Sequence, residues 1–211
     1  MNFFTWTPLE LAANVFTIAC IVLAGRNSIH TWWTGLIGCV LYGIMFYNMQ
    51  LYADTTLQAF FFAAGIIGWH KWKTEGTGTS KELKINYAPT KHIVLSVCIA
   101  LVVAAGYAWF LHTFTDAYAP LVDSTVLTFS VVAQLLLIRR SIQTWQVWLL
   151  VNTLSVPLFW SRELYLTSVL YGAFWLNAVY SYYNWKKLLK VSDAVNRKER
   201  LKVAAAGGNQ V

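Results

Sequence analysis

Charged residues are scarce in this chain, and those present are confined to short segments. They make up 12% of its 211 residues, whereas 57% are hydrophobic. A soluble domain carries about 25% charged residues, so the composition is typical of an integral membrane protein. The net charge of +7 comes from Lys and Arg between long apolar runs, where membrane topology explains them. We therefore expect a lipid bilayer as a partner, and no nucleic acid.

Residues and motifs that carry most enzyme chemistry are also lacking. The three cysteines, Cys20, Cys39 and Cys98, are isolated inside apolar runs, which predicts neither disulfides nor a metal site. The chain contains no Walker A motif, no HExxH motif and no nucleophile elbow. No ionisable residue lies at the centre of an apolar run, so a carboxylate for proton or sodium coupling is not evident. We predict a protein that is not an enzyme, holds no cofactor or metal, and is not driven by ATP.

Seven stretches are long enough to cross a bilayer as helices of about 20 residues. If the chain crosses seven times, 15 of the 16 Lys and Arg residues fall on one side, and Arg162 alone falls on the other. The positive-inside rule then places the N-terminus outside and the C-terminus in the cytoplasm. The predicted spans are 9–24, 31–49, 55–72, 92–114, 122–138, 144–160 and 165–185. The predicted fold is an all-α integral membrane protein with seven transmembrane helices.

An internal repeat relates the two halves of the chain. A shift of 113 residues places 28–73 on 141–186 with 13 identities in 46 positions, including Ser-Ile-x-Thr-Trp and Trp-Lys. Spans 1–3 and 5–7 are therefore two copies, and span 4 is a bridge that lets both copies have the same orientation. Such 3+1+3 parallel repeats share the plan of the SWEET sugar carriers. The predicted organisation is a first repeat over 1–73, a cytoplasmic loop over 74–90, a linker helix over 91–115, a second repeat over 116–187 and a cytoplasmic tail over 188–211.

Parallel-repeat carriers bind their solute near the bilayer midplane between the copies, and polar or aromatic side chains reach that depth on three spans. Spans 3, 6 and 7 each present such a stripe at helical spacing. The predicted binding residues are Gln58, Phe61, Phe62, Trp145, Trp148, Asn152, Tyr171, Trp175 and Asn177. Asp54, near the outer end of span 3, is a candidate for gating. Indole faces attract flat cations, and amides supply hydrogen bonds, so we expect a planar cationic solute.

Each of these side chains also has a structural alternative. Buried amides often form hydrogen bonds between helices, and this alternative stays open for Asn152 and Asn177. Trp and Tyr cluster at the ends of several spans, and most of them are expected to be anchors at the membrane interface. These clusters are Trp32–Trp33, Trp69/Trp72 and Tyr182–Trp185.

The chain resembles the PnuC vitamin transporters over residues 9–187. The segment LYADxxLQxFFF at 51–62, followed by GWxxW at 68–72, resembles the third span of that family. The pattern Trp145-x-x-Trp148-x-x-x-Asn152 matches its WxxWxxxN signature. The resemblance implies that these three residues and Gln58 contact the substrate, with aromatic residues of span 7 completing the cage.

The resemblance also implies a homotrimer in the bacterial inner (plasma) membrane. Its expected activity is facilitated diffusion of a vitamin, which a cytoplasmic kinase then phosphorylates and traps. The substrates of the family include nicotinamide riboside, thiamine and riboflavin.

Two glycines depart from the family pattern and bear on the substrate. Typical nicotinamide riboside transporters have Asn where this chain has Gly38 and Gly65. Loss of two polar groups near the site favours thiamine, which has no ribose. We predict thiamine as the substrate and nicotinamide riboside as the alternative. A SWEET-like sugar carrier fits less well, because those carriers tend to have proline in the first span of each repeat. A receptor or assembly subunit that does not transport is the remaining alternative.

Overall fold

The computed structural model of the chain describes residues 7–48, 52–75, 85–114, 119–161, 163 and 165–207. The helices within these residues are α1 (Pro8–Gly25), α2 (His30–Asn48), α3 (Tyr52–Glu75), α4 (Thr90–Phe114), α5 (Pro120–Ile138), α6 (Gln143–Ser161) and α7 (Tyr165–Gly207). They confirm the predicted all-α class and the seven helices. By length and composition alone, α1, α4 and α5 are apolar enough to cross a membrane. Three of the other four, α3, α6 and α7, carry all of the predicted site residues, and the polar ones among these make the helices less apolar.

The first helix of each copy starts and stops through the same local devices. Pro8 and Pro120 occupy the first turns of α1 and α5, where a missing backbone N–H is tolerated. Thr7 adds a side-chain cap to α1. Asn27 and Arg140 follow the two helix ends in the left-handed region, with φ of 53° and 51°. The chain reverses there and enters the second helix of each copy.

The internal repeat is present in three dimensions. Adding 113 to both bounds of α2 gives the bounds of α6. The Thr31 hydroxyl donates to the carbonyl oxygen of Cys20 at 2.8 Å, and the Thr144 hydroxyl donates to that of Ala133 at 2.8 Å. Each bond ties the second helix of a copy to its first helix at the same place. We call α1–α3 copy one and α5–α7 copy two.

Six of the helices form a closed ring. Helix α1 packs on α2, α2 on α3, α3 on α5, α5 on α6, α6 on α7, and α7 on α1, while α4 packs on α5 outside the ring. The copies meet along the α1–α7 and α3–α5 seams, and α2 lies opposite α6. This arrangement confirms the predicted 3+1+3 plan with parallel copies. We call the end of the ring that carries Arg26, Lys73, Arg139 and Lys186 the basic end.

Helix α7 is longer than the seventh predicted span. The seventh predicted span ends at residue 185, whereas α7 continues to Gly207 and has 43 residues, so part of the predicted tail is helical. The added part contains no proline and is rich in good helix formers such as Lys, Leu and Ala. At 1.5 Å per residue the helix is about 64 Å long, about twice the hydrocarbon core of a bilayer. Its last part therefore extends past the basic end.

Candidate functional site

Four tryptophans, Trp32, Trp72, Trp145 and Trp185, meet at the basic end, and we call them the tryptophan quartet. Each has at most 3% of its surface exposed. The rings of Trp32 and Trp72 are edge to face with centroids 5.2 Å apart, and Trp145 and Trp185 repeat this geometry at 5.4 Å. The centroids of Trp72 and Trp185 are 6.5 Å apart across the two copies. The quartet fills the ring, so the prediction of interfacial anchors is wrong for Trp32, Trp72 and Trp185.

The predicted stripe on α6 runs from the quartet towards the opposite end of the ring. Trp145 belongs to the quartet, and Trp148 is half-buried against the hydrophobic clusters on both sides of α6. Asn152 is 3% exposed, and no hydrogen bond within the described residues involves its carboxamide. At 1.5 Å per residue, Trp148 lies about 4 Å and Asn152 about 10 Å beyond Trp145.

The packing of α2 indicates which face of a second helix looks into the ring. Gly38 lies against α1, where an added Cβ would be 3.1 Å from the hydroxyl oxygen of Thr17, and Leu36 lies against α3. Because an α-helix has 3.6 residues per turn, Cys39 falls between these two contact faces and points towards the interior of the ring. Gly35 lies beside it at the edge of the α1 face, where an added Cβ would be 2.9 Å from Cys20 Sγ.

Because α6 repeats α2, we infer the orientation of its side chains from that of the corresponding residues of α2. Trp148 occupies the position of Gly35, and Asn152 occupies the position of Cys39. Asn152 consequently lies on the inward face of α6, and Trp148 lies beside it on the α5 side, packed against the cluster that contains Phe129. A buried carboxamide next to an indole on this face can hydrogen-bond and stack with a flat solute.

The predicted residues of α7 have separate surroundings. The Trp175 indole N–H donates to the Thr153 hydroxyl of α6 at 3.1 Å. Tyr171 packs on Phe159 of α6, with ring centroids 4.9 Å apart. Asn177 donates to the carbonyl oxygen of Ile21 at 3.3 Å, in the α1–α7 seam. Tyr171 and Trp175 thus stand beside the α6 stripe, whereas Asn177 has the helix–helix role that the sequence left open.

The predicted residues of α3 form a second set. Gln58 and Phe62 line a cavity of about 460 Å³ between α2 and α3, together with Cys39. Phe61 is half-buried, with its ring centroid 5.6 Å from that of Phe60. The side chain of Asp54 lies outside the described residues, so its gating role stays a prediction. Because α3 packs on α2 and α5 and not on α6 or α7, the α3 set and the α6–α7 set belong to separate parts of the ring.

Gly38 and Gly65 lie in helix–helix seams rather than on the inward face. An added Cβ would lie 3.1 Å from the hydroxyl oxygen of Thr17 at Gly38, and 2.9 Å from Leu36 Cδ2 at Gly65. Their missing side chains allow close packing and remove no polar group from the inward stripe. The expected preference for thiamine loses its support here.

Sequence patterns did not single out Arg140 as a functional residue. It is 1% exposed, and its guanidinium carbon lies 4.2 Å from the centroid of the Trp72 ring. It also donates to the carbonyl oxygen of Trp72 at 3.3 Å. In the sequence Arg140 is one of two adjacent basic residues at a span end, a pattern that does not indicate which of them turns inward. Only its alignment with Asn27, the left-handed residue of copy one, marks it.

Known membrane proteins share this sequence and architecture. The family described as "Nicotinamide mononucleotide transporter" matches residues 7–187. The "Nicotinamide riboside transporter PnuC" of Escherichia coli (strain K12) is 29% identical over 187 residues, which cover 77% of this chain and 78% of that protein. The protein of the same name from Neisseria mucosa is 31% identical over 193 residues, covering 86% and 73%. The "Riboflavin/roseoflavin transporter RibM" of Streptomyces davaonensis is 25% identical over 171 residues, covering 78% and 79%.

A solved structure agrees with the same assignment. The crystal structure of "the Vitamin B3 transporter PnuC" superposes with a TM-score of 0.68 at 30% identity, covering 86% of this chain and 82% of that one. With its two parallel triplets and a family match over most of its length, this chain belongs to the nicotinamide mononucleotide transporter family, as a PnuC-type membrane transporter.

Proposed function

We propose that the protein transports nicotinamide riboside across the membrane by facilitated diffusion. The observation that carries this proposal is the inward stripe of α6, where Trp148 and the buried Asn152 lie beyond a closed quartet. Two relatives named as nicotinamide riboside transporters support the choice of substrate. With Gly38 and Gly65 in helix seams, nothing in the site favours thiamine over this nucleoside.

The chemistry of nicotinamide riboside suits this stripe. Its pyridinium ring is flat and cationic, and an indole face attracts such a ring by about 0.5–2 kcal/mol. The Asn152 carboxamide can both donate to and accept from the carboxamide of the solute. Gln58 and the aromatic residues of α7 would surround the remaining part. A solute bound here would occupy space between the copies, so a relative movement of the copies would expose it to either side.

The direction of net uptake requires no coupling group in this proposal. Ionisable side chains are missing from the middle of the apolar runs, so the solute would move down its gradient. Phosphorylation by a cytoplasmic kinase would keep the internal concentration low. We place the protein in the bacterial inner membrane as a homotrimer, with its basic end in the cytoplasm.

Purified protein in liposomes tests the proposal. Labelled nicotinamide riboside should equilibrate across the membrane without ATP or an ion gradient. Thiamine, riboflavin and glucose should move more slowly. Uptake of thiamine without uptake of nicotinamide riboside would overturn the choice of substrate, and uptake of neither would overturn the transport function.

Two variants test whether the binding site lies on α6. Trp148→Ala and Asn152→Ala should each weaken nicotinamide riboside binding by about 1–3 kcal/mol, or about 10–100-fold, in a calorimetric titration. Trp160→Ala and Gln146→Ala are matched controls on exposed faces of the same helix and should bind like the wild type. Wild-type affinity in both site variants would move the pocket away from α6.

A further inference from the structure

We propose that Trp72 and Trp185 form the gate at the basic end, and that Arg140 holds this gate closed from one side only. The proposal rests on the proposed transport function and goes beyond it, because it assigns the groups that must separate when the solute leaves at that end.

The two gate tryptophans make crossed hydrogen bonds between the copies. The indole N–H of Trp72 in copy one donates to the carbonyl oxygen of Ile138 in copy two at 3.1 Å. The indole N–H of Trp185 in copy two donates to the carbonyl oxygen of Ala24 in copy one at 3.2 Å. Both acceptors lie in the last turn of a helix, where carbonyl groups lack intrahelical donors. Neither bond can survive if the copies move apart at this end.

The two gate tryptophans close the described part of the ring at the basic end. Trp72 and Trp185 have 0% of their surface exposed, and their rings meet on the line between the copies. Further bonds across the α1–α7 seam strengthen the closure, from Asn177 to Ile21 and from Asn184 to the carbonyl oxygen of Gly25 at 2.9 Å. The structure therefore represents a state that is closed at the basic end.

The quartet also contains a feature that opposes closure. The indole N–H groups of Trp32 and Trp145 are buried and have no acceptor among the described residues. A buried donor without an acceptor raises the free energy of the state that contains it. Two indole N–H groups of the quartet are hydrogen-bonded and two are not, so the closed state is less stable than it would be with four bonds. A carrier requires such a balance, because its closed state must also be able to open.

Arg140 makes the gate asymmetric. Its guanidinium covers the Trp72 ring and donates to the Trp72 carbonyl oxygen. The repeat places Asn27 at the corresponding position next to the other gate tryptophan, so copy one has no cation there. Asn adopts the left-handed backbone readily, which makes Arg140→Asn a natural exchange for this position.

A native cysteine reports on the gate without any substrate. Cys39 lies on the inward side of α2, about 10 Å beyond Trp32 at 1.5 Å per residue. The other two cysteines are replaced by alanine. Cys20→Ala introduces the residue that copy two has at this position, Ala133, and Cys98 is exposed, so Cys98→Ala removes no packing. A membrane-impermeant maleimide is then applied to oriented vesicles from the side that the C-terminus faces. The quantity measured is the rate of labelling at Cys39.

Trp72→Phe and Trp185→Phe keep an aromatic ring and remove the crossed hydrogen bonds. The double variant should raise the labelling rate by about tenfold or more, because losing two bonds shifts the population towards the open state. Arg140→Asn should raise it less. Trp33→Phe is the matched control, since Trp33 is an exposed indole at the same end that donates to His30. It should leave the rate unchanged.

Circular dichroism checks that each variant folds. If the double variant does not fold, the labelling rate of Arg140→Asn still tests the gate. Wild-type labelling in folded gate variants would overturn the gate, whatever the protein transports. Faster labelling in a protein that moves no vitamin would support the gate and overturn the transport function instead.

Discussion

The two copies share the tryptophan quartet at the basic end and differ along the stripe of α6 and its counterpart in α2. Within the quartet, the ring distances of the copies are 5.2 and 5.4 Å, and both pairs are nearly perpendicular. Along these two helices, copy one has Gly35 and Cys39 where copy two has Trp148 and Asn152. Residues that hold the bundle together are repeated because both copies need the same contact. Under the proposed function, residues that meet a single asymmetric solute would differ because they touch different parts of it.

The third helices show the same contrast. In copy one Gln58 and Phe62 leave a cavity of about 460 Å³ against α2. In copy two the corresponding residues are Tyr171 and Trp175, and the Trp175 indole is hydrogen-bonded to Thr153 of α6. Exchanging residues between the copies therefore separates positions that serve the fold from positions that serve the solute.

The largest expected effect comes from exchanging a packing position. A Cβ on Gly68 would overlap the Trp32 ring, whereas copy two has Ser181 there. Because Trp32 is fixed in the quartet, Gly68→Ser should lower the free energy of unfolding by about 1–3 kcal/mol or more. Thermal unfolding in detergent measures this change. Gly172→Ala, where an added Cβ meets nothing within 4 Å, is the control and should be neutral or slightly stabilising. Equal melting temperatures for both variants would show that the quartet can rearrange.

The next exchange concerns the solute. Asn152→Cys gives α6 the residue of copy one and should weaken nicotinamide riboside binding by about 10–100-fold, since a hydrogen-bonding group is lost from a buried site. Cys39→Asn alone should change affinity little, and adding it to Asn152→Cys should not restore binding. Calorimetric titration of the three variants decides the matter. Wild-type affinity in the double variant would mean that an amide on α2 can replace the amide on α6 in binding the solute.

Much of this fold could be predicted from the sequence because its signals are local. Apolar runs, segregated Lys and Arg, and a repeat without gaps gave seven helices, and the first six match their predicted bounds within three residues. The inward stripe of α6 followed from helical spacing together with the family signature. The extension of α7 beyond the seventh span does not follow from hydropathy, because a polar run of good helix formers looks alike whether it is a free tail or a continued helix.

Contacts between the copies could not be predicted in this way. A tryptophan beside a lysine at a span end has the same sequence pattern whether it faces lipid or the partner copy, so the burial of Trp72 and Trp185 was missed. The same limit applies to Gly38 and Gly65, whose neighbours lie on other helices. The inference of thiamine from these two glycines loses its support for that reason, since both lie in helix seams.

A smaller effect is expected where the linker meets copy two. The Gln143 side chain accepts from the backbone N–H of Ala88 at 3.0 Å and donates to its carbonyl oxygen at 3.2 Å, whereas copy one has His30 at this position. Gln143→Ala should speed amide hydrogen exchange around Ala88 by about tenfold, because both bonds are lost. Gln146→Ala, one turn away and exposed, is the control. Unchanged exchange would show that the Asn86 contacts to the α5–α6 corner hold the segment alone.

The smallest effect is expected at Trp175, where Phe is the residue of copy one. Trp175→Phe keeps a ring beside the α6 stripe and loses only the bond to Thr153, at a side chain that is 38% exposed. The loss in binding should be about 0.5–1 kcal/mol, and Thr153→Val should give the same loss. The double variant should then cost no more than either single variant, because both changes remove one bond. A larger loss from Trp175→Phe than from Thr153→Val would mean that the indole N–H meets the solute itself, and the comparison between the copies would then place a second solute contact on α7.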